Sequence, residues 1–308
     1  MNQNVLKNFY QRFYLNTNGY LPAKPLNLNL YPGDFFQVRN GEIIVLGNLF
    51  RNNVLRKDEV DFALGIPLNT ASWNFIDGVT KPFSGKDIST SDIEGNYGYT
   101  KQVLAFNKIG SFLFHSKEPE AIKISNWNDI ADSLILKLTQ VLFSFRELYV
   151  VTESVVAKQW TLAVGGSENA ELEIASEGEN LGLFDVLNAS NSKTIQARDI
   201  EFYNKEENKK PSFFKGKKLI VRENKMEVFI SDLVANYKGK SSWASSFFEY
   251  DFYNKDLGFS TSFNTHLYTS VLDMLQSNQL NPNTCLDYFR WADMNLDDVE
   301  KLFLSYGN

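Results

Sequence analysis

Apolar positions along the chain change their spacing several times, and each change marks an element. Val5, Leu6, Phe9, Tyr10 and Phe13 recur at steps of three and four, which predicts a short amphipathic N-terminal helix. Pro22, Pro25 and the run Pro32-Gly33-Asp34 then punctuate extended segments. Residues 35–38 and 42–46 flank Asn40-Gly41, the signature of a hairpin with a tight turn. Residues 65–100 are rich in Gly, Ser, Thr and Asp and read as irregular. Residues 101–115 read as a strand broken by a bulge or bend at Gly110, and Pro119 ends it.

The middle of the chain carries the clearest signal. With Asn126 or Asn128 as cap, a helix is expected over residues 129–145, its buried stripe formed by Leu134, Leu138, Val141, Leu142 and Phe145. It runs without a turn signal into one long strand over residues 147–164. Gly165-Gly166-Ser167 opens a turn, and a return strand follows over residues 170–176. Trp160, Leu162 and Val164 share one strand face, and Gln159, Thr161 and Ala163 the other. Across the turn, Ala170, Leu172 and Ile174 alternate with Glu171 and Glu173. A second hairpin is expected around residues 222–225, with Leu219 and Val221 leading in and Met226, Val228 and Ile230 leading out. Residues 238–246 read as a connector. Further helices are expected over residues 266–276 and 297–305, the second capped by Asn295 with Asp298 near its positive end. The fold class implied is α+β, a twisted and mainly antiparallel sheet packed on a central helix, with a helical C-terminal segment.

Charge divides the chain in two. Residues 249–308 hold nine acidic and three basic side chains, which is the whole net charge of −6, so residues 1–248 are neutral. Within the neutral part, residues 205–225 hold eight basic and three acidic groups. That local +5 suits a solvated loop, or attraction to anionic lipid, nucleic acid or an acidic partner. The boundary expected is an α+β domain over residues 1–248 and an acidic segment over 249–308 that either caps the domain or completes its core. No run of 18 apolar residues exists, and the N-terminus has no apolar core of the secretory type.

Catalytic equipment is sparse. Two histidines, His115 and His266, and a single cysteine, Cys285, argue against a zinc site and exclude an internal disulfide. Cys285 is expected to be buried. Asp293, Asp297 and Asp298 lack the glycine and terminal glutamate of a calcium loop and read as helix-start acids. Glu171 and Glu173 lie about 7 Å apart by strand rise, a spacing shared by glycosidase pairs and by ordinary solvent-facing strands. No catalytic, cofactor or metal residue is assigned, and a non-enzyme is expected.

The string Leu148-Tyr-Val-Val-Thr-Glu153 resembles the strand after the central helix in gasdermin N-terminal domains, a pore-forming family. Gly19-Tyr20-Leu21-Pro22 followed by Pro25-Leu26 is similar to the start of bacterial members. The resemblance covers residues 1–235, and the tail after residue 248 is longer than the short inhibitory peptide of bacterial members. It implies an autoinhibited cytoplasmic precursor. An activating protease would release the C-terminal segment, and the remainder would oligomerise at the inner face of the cell membrane and kill the cell, often in antiphage defence. It places a membrane-inserting hairpin at Trp160, Leu162, Val164, Leu172 and Ile174. With the charge pattern, it points to Lys215, Lys217, Lys218 and Arg222 as contacts for anionic lipid, without a nucleic-acid partner. The competing expectation is a binding, immunity, adaptor or phage-structural protein on the same scaffold.

Overall fold

The computed structural model describes residues 3–90, 96–141, 148–176, 193–225 and 282–304. These residues form mostly antiparallel β-structure with a few helices. In chain order the elements begin with helix α1 (Gln3–Asn16), then strands β1 (Leu21–Pro22), β2 (Asp34–Arg39), β3 (Glu42–Asn48), β4 (Phe62–Pro67), β5 (Asn74–Asp77), β6 (Val79–Thr90), β7 (Asn96–Phe106), β8 (Phe112–Lys117) and β9 (Glu120–Ile124). Helix α2 (Trp127–Val141) precedes β10 (Leu148–Val156), β11 (Gln159–Gly165), β12 (Ala170–Ser176), β13 (Lys193–Arg198), β14 (Ile200–Glu206) and β15 (Pro211–Val221). The last described elements are α3 (Pro282–Tyr288), β16 (Phe289–Asp293) and α4 (Leu296–Lys301).

The strands make three sheets. Sheet A has eight strands, with the path β1-β15-β10-β2-β3, β16 on the edge of β15, β9 on β10 and β4 on β9. Sheet B runs β14-β11-β8-β5, and sheet C runs β13-β12-β7-β6. Asn40 and Gly41, at φ 49° and 76°, supply the two left-handed residues that the tight β2–β3 turn needs.

Burial of apolar stripes stacks these parts. The α2 stripe, Ile130, Leu134 and Leu138, packs with Phe35, Leu148 and Val150 on one face of sheet A. On its other face Phe36, Tyr149, Val151, Phe213 and Phe214 join Leu6, Phe9 and Phe13 of α1 and Phe112, Phe114, Trp160, Leu162 and Val164 of sheet B. Phe13 stacks on Phe213 at 4.9 Å, and Phe9 meets Phe112 edge-on at 5.3 Å, ring geometries that add to burial. A third cluster joins Leu113 and Ala163, on the far face of sheet B, to Val79, Leu104, Phe106, Ala170, Leu172 and Ile174 of sheet C.

Several expectations change. Residues 65–100 contain β5, β6 and the start of β7, because cross-strand pairing overrides their weak strand composition. The long strand over residues 147–164 is two strands in two sheets, parted at Ala157-Lys158. The basic segment is not a loop: most of it is β15, inside sheet A. The edge of β15 pairs with β16, from the far end of the chain. The described C-terminal part is therefore helix, strand and helix, with Phe289 and Trp291 on the strand rather than on a helix. Residues 142–147, Met226–Ile230 of the expected second hairpin, the 238–246 connector and the helix at 266–276 lie outside the described residues.

Candidate functional site

Sheets B and C share one connectivity. The chain runs β5 to β6, β7 to β8, β11 to β12 and β13 to β14, and those pairs occupy matching places in the two sheet orders. Each strand of sheet B thus continues into the corresponding strand of sheet C after one bend. The bends fall in a row and are bonded to each other. Asn107 N donates to Gly78 O at 2.9 Å, Gly110 N to Gly165 O at 2.9 Å, Gly165 N to Ser111 O at 2.8 Å and Gly166 N to Asp199 O at 2.8 Å. Gly78, Gly110 and Asp199 hold φ of 64°, 78° and 52°, in the left-handed region that turns a strand back. A Cβ on Gly78 would lie 2.4 Å from Ser111 Oγ, so the close approach there needs glycine.

The bends fold sheet C over sheet B. Its inner face is apolar (Leu104, Phe106, Ala170, Leu172, Ile174) and its outer face is charged. On that outer face Lys101 pairs with Glu173 at 2.5 Å and Arg198 with Glu171 at 3.9 Å. Those two carboxylates are thus each held by a cation. Farther from the bends the contact between sheets turns polar. Gln102, His115 and Thr161 are buried there, and the Thr161 hydroxyl has no hydrogen-bond partner among the described residues.

This arrangement corrects the expected hairpin. Trp160, Leu162 and Val164 lie on β11, inside the central core, and β11 pairs with β8 and β14. Leu172 and Ile174 lie on β12, which pairs with β7 and β13. Gly165-Gly166 turns the chain from one sheet to the next instead of closing a hairpin. The two hairpins of sheet C are β6–β7 and β12–β13, joined side by side through β7 and β12.

The four expected lipid contacts lie on or beside β15, and the C-terminal strap, α3 to α4, meets three of them. Lys217 Nζ is 2.6 Å from Asp293, and Lys218 Nζ is 3.0 Å from the fully buried Asp298. Arg222 N donates to Tyr288 O at 2.8 Å. Lys215 lies over the Tyr20 ring at 4.2 Å. Beside it, Tyr20 donates to Glu153 at 2.7 Å, and burial together with that carboxylate pushes its phenol pKa up.

The strap also seats on α1 and on the loop after β1. Glu300 takes Lys7 and Gln11, Phe303 meets Tyr10 edge-on at 5.1 Å, and Lys24 donates to Leu302 O while lying over Phe303. Burial lowers the Lys24 pKa, opposed by Glu42. Asn295 caps α4 by accepting from Asp298 N, and Asp298 returns the bond at 2.8 Å, a closed capping box. On the opposite side of sheet A, Trp291 donates to Ala131 O of α2 at 2.9 Å, and Cys285 is buried beside Ile135 and Phe289.

The bend row and the strap's partners were not readable as sites. Gly110 and Gly165-Gly166 announced breaks individually, but nothing local aligned them with Gly78 and Asp199. No described helix is long and apolar enough to cross a membrane, which says nothing of strands.

No family model matches the chain, and no curated protein matches it. Among solved structures it bears a weak resemblance to a bacterial gasdermin from Bradyrhizobium tropiciagri, at 11% identity, over 63% of this chain and 80% of that one, with a TM-score of 0.27.

Proposed function

We propose that this chain forms membrane pores and is held at rest by its C-terminal strap. The observation that supports this reading is the bend row. It hangs two hairpins from sheet B with one apolar face turned inward and one charged face turned out. Swung away from sheet B, sheet C would offer the alternation of apolar and polar faces that a membrane barrel requires. Its strands β6 and β7, 12 and 11 residues long, reach the roughly 9–11 residues that cross a bilayer. In this reading Leu172 and Ile174 face lipid, whereas Trp160, Leu162 and Val164 stay in the core.

Charge supports the role given to the strap. Its acids occupy Lys7, Lys217 and Lys218, and its last turn occupies Lys24. Removal of the strap would free those cations for anionic lipid. The activating step would be proteolysis between β15 and α3 in a cytoplasmic precursor. The lateral edges of sheet B, β14 and β5, which have no outer strand partner among the described residues, would then pair between copies at the inner face of the membrane, ending in cell death of the kind used against phage.

One observation favours a second reading. Met294, Val299, Leu302 and Phe303 of the strap belong to the central apolar cluster. A strap so embedded also suits a binding or phage-structural protein whose C-terminus completes its core. A cleavage site built into residues 238–246, opened in purified full-length protein with anionic vesicles present, separates the two. Dye release only after cutting is expected. A cut protein that keeps its strap, or precipitates without dye release, favours the second reading.

A further inference from the structure

Helix α1 touches both the strap and the bend row, on different faces. Lys7, Tyr10, Gln11 and Tyr14 are spaced three and four apart and meet the strap: Lys7 and Gln11 at Glu300, Tyr10 at Phe303, and Tyr14 through a 3.2 Å bond to Met294 O. Asn8 lies on another face. Its amide donates to Asp77 Oδ2 at 2.7 Å and to Gly110 O at 3.2 Å. Asp77 is the last residue of β5 before the Gly78 bend, and Gly110 is the bend between β7 and β8. Val5, three positions before Asn8, brings its carbonyl to 3.2 Å from where a Cβ on Gly110 would stand. The third face, Leu6, Phe9 and Phe13, is anchored in the core. One side chain of α1 therefore bridges two of the four bends from outside the sheets, and the helix that carries it is clamped by the strap.

We infer that α1 is a relay, in which the seated strap fixes the helix and Asn8 then pins the bends that keep sheet C folded on sheet B. The inference rests on the reading that sheet C swings out, and it assigns the control of that motion to named contacts. Among the described residues the strap packs on sheet A, α1 and α2, and sheet C packs on sheet B, so α1 is the element that meets both the strap and the bends. Coupling of two distant parts needs a two-state element that both bias, and the bend row is that element here.

The test uses the full-length protein and backbone hydrogen exchange, which reads opening of sheet C without a membrane. Asn8→Ala removes two part-buried hydrogen bonds, so exchange in β7 and β12 should rise about tenfold. Glu300→Ala, which removes the α4 partner of Lys7 and Gln11 rather than a bend contact of Asn8, should loosen α4 and also raise exchange in β7 and β12. In the double variant the Glu300→Ala effect on sheet C should vanish while its effect on α4 persists, the non-additivity of a relay cut in the middle. Should Asn8→Ala fail to fold, Asp77→Ala opens the same contact from the other side. Unchanged β7 and β12 exchange in Glu300→Ala, or additive effects in the double variant, would overturn the inference. Vesicle leakage of the cleaved protein is scored separately. Coupling without leakage sinks the pore reading and keeps the relay, and leakage without coupling does the reverse.

Discussion

The ammonium of Lys218 on β15 meets the carboxylate of Asp298 on α4 at 3.0 and 3.1 Å, across 80 positions of sequence and with no solvent on the acid. The same carboxylate accepts from Tyr149 on β10 at 3.0 Å and from the backbone of Asn295 at 2.8 Å. With Lys301 Nζ at 3.4 Å, four donors surround this one buried charge, and two of them, Lys218 and Tyr149, tie the strap to two central strands of sheet A. Removing one partner of such a pair strands the other, at a cost of about 3–5 kcal/mol. Asp298→Ala should lose stability on that scale in urea unfolding. Lys218→Met combined with Asp298→Leu should lose less, because no charge is left behind. A loss under about 1 kcal/mol in Asp298→Ala would mean that the strap is held by its apolar residues alone.

The contact between sheets B and C carries a defect that can be repaired. Thr161 is fully buried, and its hydroxyl has no partner among the described residues. An orphaned buried hydroxyl costs about 1–3 kcal/mol, whereas valine keeps the shape and drops the cost. Thr161→Val should raise the melting temperature by a few degrees, the order expected for about 1 kcal/mol. In cleaved protein it should slow dye release, since sheet C must leave this surface. A lowered melting temperature would show that the hydroxyl is bonded.

Much of the scaffold was legible and much of the site was not, for one physical reason. Periodicity reports what a residue needs from its own element, so the stripe Leu134 and Leu138, the α1 face Leu6, Phe9 and Phe13, the Asn40-Gly41 turn and the Asn295 cap could all be read locally. Identity of the partner is not encoded that way. Gly165-Gly166 announces a change of direction equally well for a hairpin and for a corner between sheets, so the pairing of β11 with β12 was the wrong one of two allowed outcomes. The lysines of β15 looked like a solvated run because their acids lie about 75–80 positions away, beyond any window of helix or hairpin spacing. Residues 79–90 lacked strand-forming composition and became β6 through pairing with β7.

Lys24 gives the strap a pH dependence. Burial holds its pKa below the ordinary 10.5 while it donates to Leu302 O and lies over Phe303. The unfolded chain therefore keeps this proton to higher pH than the folded one. Between the lowered folded value and 10.5 the unfolded state binds more protons, so this group makes stability rise with pH across that window. Below the window the cost of burying the cation is fully present. Unfolding free energies of wild type and Lys24→Met, measured from pH 7 upward, should differ by an amount that changes as pH approaches 10.5, with wild type gaining. Parallel pH profiles for the two proteins would remove Lys24 from the account.

Anionic lipid should bind where the strap has left. Lys7 and Lys217 are the two cations suited to a test, because both are partly exposed and pair with partly or largely exposed acids, Glu300 and Asp293. Their replacement leaves no buried charge behind, unlike that of Lys218, whose partner is fully buried. Each basic group near an anionic surface contributes about 1 kcal/mol, so losing both should weaken binding by roughly thirtyfold. Lys7→Gln with Lys217→Gln, cleaved at residues 238–246 and sedimented with phosphatidylserine vesicles, should show that loss. The same protein with neutral phosphatidylcholine vesicles should bind no more weakly than wild type. Uncut wild type should bind the anionic vesicles at least as poorly as the cut double variant, since the strap occupies Lys24 and Lys218 as well as Lys7 and Lys217. Equal binding of cut and uncut wild type would mean that the strap does not mask these cations, and the role of the strap as a restraint on membrane contact would fall.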